Sequence, residues 1–341
     1  VGSALAIKVS KLGYKVAIVD SKESPPNSYR HLSINQKSKS FLDEIGIWKD
    51  IKDSAFPYGR IKVWDQEGTG FIDFNAEEAQ LPNLGYIVRE GEIQKNLIQK
   101  FNENKVENFW GETVKKIKFS TNEVFCETDK EVHTAKLIVG SDGMNSKIRE
   151  LSKISYRSWS YNQTAVVANF KTSINESCIK QTFTSIGPLA LLPINDHEST
   201  MIWSIDDDLS YKFLSMSDEE FTNEVINKFG EQIGKLKMIS KRQHFPLHHL
   251  SAKTFAKKGV FLVGDSAHTI HPLAGQGLNL GIADVKEISD LIISANRNGK
   301  NIYDEQMLKT YSKKREPESY KMIALMEAFK RGFGSDSSLI K

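Results

Sequence analysis

The sequence predicts an α/β protein in which strand–turn–helix segments hold a mostly antiparallel β-sheet between them. Three observations carry this reading. Residues 1–20, VGSALAIKVSKLGYKVAIVD, read as an amphipathic helix followed by a strand that ends in an acid. Residues 259–292, GVFLVGDSAHTIHPLAGQGLNLGIADVKEISDLI, read as a buried strand, a glycine-rich turn and a helix. Between them, residues 163–170, 181–183, 189–192 and 201–204 are short strand-like runs separated by polar turns.

A chain of 341 residues can bury a large core and is expected to hold two domains. Its 39% hydrophobic and 26% charged residues describe a globular protein. A net charge of +3, with no basic run interleaved with aromatics, argues against a nucleic-acid partner. Cys126 and Cys178 stand alone, without CxxC or His partners at ligand spacing, which argues against a disulfide scaffold and a metal site. Buried thiols in a reducing compartment, the cytoplasm, are expected. No run approaches the roughly 18 apolar residues of a membrane span, and no signal peptide is visible. Because the chain begins at Val1, it is expected to continue upstream, and a tail beyond Lys341 is expected as well.

Taken in order, Ala4, Leu5, Ile7, Val9 and Leu12 form a helix that Gly13 can cap, and residues 15–20 form a strand. The unit resembles the back half of a dinucleotide-binding βαβ segment. Gly2 would be the last glycine of GxGxxG, and Asp20 sits where an acid can meet a ribose diol. The plainer alternative is a helix packed on a strand that happens to end in Asp. Residues 24–30 read as a polar loop with Pro25 and Pro26, followed by a helix carrying Leu32, Ile34, Phe41, Leu42 and Ile45. Arg30 reads as a solvated surface charge or as a fork for a phosphate. Residues 59–74 read as sheet, and 88–101 as a helix with Gln94 in its first half. After short strands over 106–126, residues 137–139 form another buried strand. Gly140 and Gly143 make its turn, Ser146 starts a helix, and Asp142 and Arg149 are the notable polar residues. Residues 217–229 read as a helix, and the chain from Tyr303 as charged helix broken at Pro317. In the 259–292 stretch, Val260 to Val263 form the strand and Asp265, His268, His271, Pro272, Gly275 and Gly277 the turn. Leu278, Ile282, Val285, Ile288 and Ile292 then repeat at helical spacing. Such a helix start can face an anion or an electron-rich ring, or can be an ordinary tight turn.

The order of these motifs resembles the FAD-dependent aromatic hydroxylases of the p-hydroxybenzoate hydroxylase fold. GDSAHTIHPLAGQGLNLGIADV is very similar to the GDAAHxxHPxAGQGxNLGxxDV of the ubiquinone-biosynthesis hydroxylases, with Ser266 in place of an alanine. GSDG near residue 140, QTAVVANF from Gln163, GPLALLPI from Gly187 with Trp203 after it, and KRGF ending at Phe333 fit the same family. The resemblance implies an FAD-binding Rossmann-like domain with an inserted, mostly antiparallel β-sheet substrate domain. Residues 1–60, 85–155 and 250–300 would bind FAD, 61–84 and 156–249 would form the substrate sheet, and 301–341 a shortened helical segment.

It also implies site residues. Gly2 would approach the FAD pyrophosphate, Asp20 would accept from the adenosine ribose, and Arg30 and Gln94 would touch the flavin nucleotide. Asp142 would belong to a shared FAD and nicotinamide contact. Asp265, after Gly264, would bind a ribityl hydroxyl. Pro272, Gly275, Gln276, Gly277, Leu278 and Asn279 would lie beside the isoalloxazine, with the helix start aimed at N1 and the C2 carbonyl. No residue is assigned as a catalytic acid or base; His268 and His271 read either as packing groups or as site lining. The implied cycle is reduction of FAD by NAD(P)H, addition of O₂ at C4a, and transfer of hydroxyl to an electron-rich, polyprenylated phenol. The greasy tail implies contact with the inner face of a membrane, and other quinone-biosynthesis proteins are expected partners. Alternatives are a geranylgeranyl reductase or halogenase of the same fold, a simple NAD-dependent dehydrogenase, and a non-catalytic, FAD-stabilised subunit of a quinone-synthesis complex.

Overall fold

The computed structural model describes residues 1–24, 28–173 and 176–333. The loop prolines Pro25 and Pro26, and everything after Phe333, lie outside them. The helix Gly2–Ser10 buries Ala4, Leu5, Ala6 and Ile7 on one side. The strand Val16–Asp20 pairs in parallel with Val106–Trp110, which sets Asp20 opposite Trp110. A second parallel pair joins Ile138–Gly140 to Val260–Leu262. Val260, Phe261 and Leu262 are fully buried, so a strand with no polar face sits inside the core, as its unbroken apolar run requires. The same core takes in Ile7, Phe101, Val285, Ile288 and Tyr311.

Two elements differ from expectation. Leu32 and Ile34 belong to a strand, His31–Asn35, antiparallel to Gly85–Arg89; Val88 pairs with Leu32 in it. The helices start later, at Gln36 and Glu90. Short apolar runs fit both periods, and here the partner strand decides. Asn35 ends the strand and caps the helix by accepting from the Ser38 N–H. The other difference is at Pro317, which breaks nothing: the helix Glu305–Phe333 runs through it. A proline inside a helix costs about 3 kcal/mol, and docking on both sides of it offsets that cost. On the N-terminal side Tyr311 donates to the Leu262 carbonyl at 2.8 Å, and Arg315 reaches a buried acid. On the other side Met326 is buried against Val63, Phe183 and Leu273.

The nine-stranded sheet runs in the order His268–Thr269, Gln243–Ala252, Tyr156–Thr172, Glu198–Asp206, Gly187–Asn195, Cys178–Thr184, Arg60–Asp65, Phe71–Asn75, with Leu236–Met238 also pairing to Tyr156–Thr172. Every neighbouring pair is antiparallel except Cys178–Thr184 with Arg60–Asp65. Side chains alternate between its faces. One face packs Val166, Leu189, Leu191, Met201 and Trp203 under the helices Asp207–Ser215 and Asp218–Phe229. The other turns Ile179, Gln181, Ala190, Leu192, Ile202 and Ser204 toward Pro272 and Leu273. Both cysteines are buried free thiols whose pKa burial pushes up. Among the described residues, no helix is long and apolar enough to cross a membrane.

Candidate active site

The buried strand Val260–Leu262 delivers the chain to Gly264, which takes a left-handed φ of 58°. That reversal brings three segments together. Val1 packs on Gly264 and on Gly281, a Cβ on Gly281 would lie 3.2 Å from the Gly264 Cα, and a Cβ on Gly2 would overlap the Ser141 hydroxyl. The N-terminal helix start, the GSDG turn and the 264 turn therefore meet. Replacing Gly281 with valine is expected to cost about 1–3 kcal/mol by prying the Gln276–Arg297 helix off the 264 turn. Thermal melting together with flavin content per chain checks it.

Ser266 ties the two glycine turns. Its hydroxyl lies 2.6 Å from the Gly140 carbonyl and accepts from the Val263 N–H. Arg149, buried, donates to the Ser266 and Met144 carbonyls at 2.9 and 2.7 Å. Asp142 spends both carboxylate oxygens locally, accepting from the Ser146 hydroxyl and the Ile148 N–H. Asp265 differs. Its side chain is exposed and accepts no hydrogen bond among the described residues. It is open to solvent on one side yet surrounded closely enough that desolvation raises its pKa, against the pull of His268 and Arg30.

Arg30 is half-exposed, 3.9 Å from Glu90, and its guanidinium lies over the Phe245 ring. Gln94 donates to Glu90 at 3.2 Å, and its own Oε1 is buried without a partner, as is Arg89 Nε. Asp20 stands apart from these residues, at the end of its strand, where its carboxylate accepts the Lys22 N–H.

Beyond the 264 turn, Pro272 opens a short 3₁₀ turn, Leu273–Gly275, and Gly275 in left-handed conformation precedes the helix Gln276–Arg297. No side chain caps that helix, and a helix start of this kind can face an anion. A Cβ on Gly277 would meet nothing within 4 Å, so this side of the helix start is open. Leu278 is half-buried against the core. Asn279 looks away from the open side: its amide donates to the Ser33 carbonyl at 2.9 Å and accepts from the Asn35 N–H at 3.0 Å. Any ligand contact at Asn279 falls to its backbone.

Both histidines are in the packing. His271 is 2% exposed and bonds the Gln163 side chain at 3.2 Å. His268 is 1% exposed and bonds Asp284 at 2.6 Å. Asp284, about two turns into the long helix and fully buried, also accepts from the Gly264 N–H at 2.9 Å and from Arg315 Nε at 2.8 Å. The sequence reading gave no role to Asp284, although it is the acid of the motif's closing DV, or to Arg315. The signal for Asp284 was its fixed place in the motif on the apolar face of a helix; Arg315 showed only as an arginine in a charged one. Burial would raise the Asp284 pKa; the His268 charge and hydrogen bond, Arg315 and the Gly264 N–H overcome it and leave it lowered.

Across from Pro272, Leu273 and Gly275, the free face of the sheet forms a slot with Ile179, Gln181, Pro188, Ala190, Leu192, Ile202 and Ser204. The gap between them is narrow, about 30 Å³. Elsewhere Glu112, Glu131 and His133 bring ligand atoms close together, but Glu112 already accepts from Thr128 and His133.

A helix start without a side-chain cap and glycine turns too close for side chains suit a nucleotide cofactor. The model of the FAD binding domain family matches residues 1–325, and the chain belongs to that family. It is 29% identical over 98% of its length to the 3-demethoxyubiquinol 3-hydroxylase of Escherichia coli (strain K12), covering 88% of that protein. It is 27% identical to the human mitochondrial ubiquinone biosynthesis monooxygenase COQ6, across 99% of this chain and 84% of the other. Among solved structures it resembles PqsL of P. aeruginosa in complex with 2-aminobenzoylacetate, with a TM-score of 0.83 at 18% identity over 98% of this chain and 94% of that one. The protein is a flavoprotein monooxygenase whose cofactor is FAD, with NAD(P)H and O₂ as co-substrates.

The residues present fit FAD. Buried Gln94 Oε1 lacks a donor, the Asp265 carboxylate lacks one too, and no side chain caps the helix start after Gly275.

Proposed function

We propose that the protein hydroxylates the aromatic ring of a polyprenylated phenol in ubiquinone biosynthesis. The observation that carries this is the slot, which sets an apolar sheet face against the Pro272–Gly275 turn. FAD, when bound, would supply acceptance of hydride from NAD(P)H and activation of O₂ for insertion into the ring. The chain does the rest. Gly2 lets backbone approach the pyrophosphate, Asp20 accepts from the adenosine ribose, and Arg30 and Gln94 hold the nucleotide. Asp265 accepts a ribityl hydroxyl, Asp142 shapes the turn beside it, and the N–H groups from Gln276 to Leu278 place positive charge at the ring's electron-rich edge.

The division of labour follows: residues 1–60, 85–155 and 250–300 hold the cofactor, while 61–84 and 156–249 wall the substrate. The apolar tail of the substrate favours peripheral contact with a membrane surface and with other proteins of quinone synthesis.

The test is a purified, FAD-loaded protein assayed for NAD(P)H oxidation with and without a short-chain prenylated methoxyphenol. Acceleration of at least about tenfold, with a product heavier by one oxygen atom, is expected. A protein that takes up no FAD overturns the reading. Flavin uptake without phenol-dependent turnover moves it to a non-catalytic subunit.

A further inference from the structure

Outside the flavin turns, the small sheet of Val114–Phe119, Val124–Thr128 and Val132–Ala135 gathers metal-ligating side chains. Along the chain Cys126 has no histidine at ligand spacing. A tight turn through Asp129 and Lys130 changes that, because it closes the last two strands into a hairpin and sets His133 directly opposite Cys126. The Thr128 N–H donates to the Glu131 carbonyl at 2.9 Å, so these two stand opposite each other as well. Side chains alternate along a strand, which puts Cys126, Thr128, Glu131 and His133 on one face. The loop after Val106–Trp110 lays Glu112 across that face. Its Oε2 accepts from the Thr128 hydroxyl at 2.9 Å and lies 2.9 Å from His133 Nε2.

The ligand atoms of Glu112, Glu131 and His133 all fall within 4.8 Å of one another. Two carboxylates and one imidazole at that spacing keep a net negative charge even when the ring is protonated. Lys130, an ammonium that acts on Glu112, is turned to the Trp110 carbonyl at 3.4 Å. Both hydrogen bonds to Glu112 end on Oε2, and Oε1 accepts none among the described residues. Independently of charge, the thiol of Cys126 is buried, at 8% exposure, and makes no hydrogen bond among the described residues. The charged group that acts on it is Glu112.

Sulfur, imidazole nitrogen and carboxylate oxygen together suit a tetrahedral Zn²⁺, whereas Mg²⁺ and Ca²⁺ take oxygen ligands. The surroundings agree with a metal centre. The Thr128 hydroxyl orients the Glu112 carboxylate from behind. Phe109 packs against the His133 ring, centroids 4.3 Å apart, and holds its plane. Glu131, 55% exposed, leaves an ion a way in from solvent. Glu112 also ties the site to the nucleotide strand: its N–H donates to the Asp20 carbonyl at 3.0 Å, and the Gly111 N–H to the Lys22 carbonyl at 2.9 Å.

We infer that Glu112, Glu131, His133 and Cys126 form a binding site for Zn²⁺, which clips the hairpin to the loop bracing the end of the Asp20 strand. On binding, the Cys126 thiol and His133 Nε2 give up their protons to solvent and turn their lone pairs to the ion. The site is separate from the reaction the flavin carries out, so its test does not depend on the hydroxylase reading.

Purified, untagged, FAD-loaded protein is stripped with a chelator and titrated with ZnCl₂ by calorimetry near neutral pH, with Co²⁺ as the spectroscopic probe. Stoichiometric uptake is expected, and the cobalt form should show a thiolate-to-metal charge-transfer band with the intense visible absorbance of a tetrahedral ion. Cys126→Ser is expected to lose the charge-transfer band, while Cys178→Ser, in a different sheet, keeps it. His133→Ala and Glu112→Gln are expected to weaken zinc at least about 100-fold and Thr128→Val about tenfold. Glu131→Ala changes only the exposed rim, keeps the fold, and should still weaken zinc at least about tenfold. Zinc should raise the melting temperature of the wild type and leave that of His133→Ala where it was. Substoichiometric uptake, a wild-type cobalt spectrum without the thiolate band, or unchanged zinc affinity in Glu131→Ala and Glu112→Gln overturns the inference.

Discussion

Replacing Asp284 with alanine is expected to cost about 3–5 kcal/mol of folding free energy and to release most of the flavin. The carboxylate is 0% exposed and serves three donors on three elements: the Gly264 N–H of the turn, His268 two residues past it, and Arg315 of the C-terminal helix. Removing it strands the Arg315 guanidinium, itself buried, beside a histidine and an unpaired backbone donor. Asp284→Asn, which keeps one acceptor oxygen, should lose less.

The pH dependence has a definite sign. The native pKa of Asp284 is depressed, so its stabilisation is complete above the unfolded-state value, about 3.9, and disappears as pH falls below it through the native value. Acid unfolding of the wild type below about pH 4 should therefore contain a component that Asp284→Asn lacks. Chemical denaturation at pH 7 and between pH 3 and 5, with absorbance read for released flavin, checks both parts. A wild-type midpoint for Asp284→Ala would refute the role given to this residue.

Asp265→Ala should behave in the opposite way with respect to stability. A carboxylate that accepts nothing from the described residues, and whose pKa desolvation raises, is a poorly satisfied anion in the protein alone. Removing it leaves the melting temperature of the apoprotein unchanged or slightly higher. The flavin, however, loses a charge-assisted hydrogen bond, and its dissociation constant is expected to rise about 10- to 100-fold. Binding of phenol to protein saturated with FAD should change much less. Flavin retention through gel filtration, followed by fluorescence titration of the apoprotein, measures the effect; normal flavin content in the variant refutes the assignment. The contrast between neighbours is informative. Asp142 has both oxygens engaged within its own turn, so Asp142→Ala acts first on the helix that begins at Ser146.

Several features were legible before any coordinates. The unbroken apolar run Val260–Val263 required a buried strand, Ser146 and Ser217 stand at real helix starts, and the glycines at 264 and 275 mark left-handed turns. Each depends on nearest neighbours in the chain: period, capping chemistry and allowed φ. The motif order also carried the family, because glycine spacing around a cofactor is itself local.

Other features depend on residues far apart in sequence. Leu32 and Ile34 became a strand only because Gly85–Arg89 lies beside them, and Pro317 stays helical only because Arg315 and Met326 are docked on either side. The acid at 284 carries no sign of its partners at 264, 268 and 315. Gln181 reads as one polar residue in an alternating strand until the Pro272–Gly275 turn closes over it. By itself the sequence determined the strands, turns and helix starts that bring backbone to a cofactor, because those are local conformational preferences. Only the tertiary structure decided which polar side chains are spent on the protein and which remain open to a ligand, because hydrogen bonding and burial are settled by what packs across from each residue.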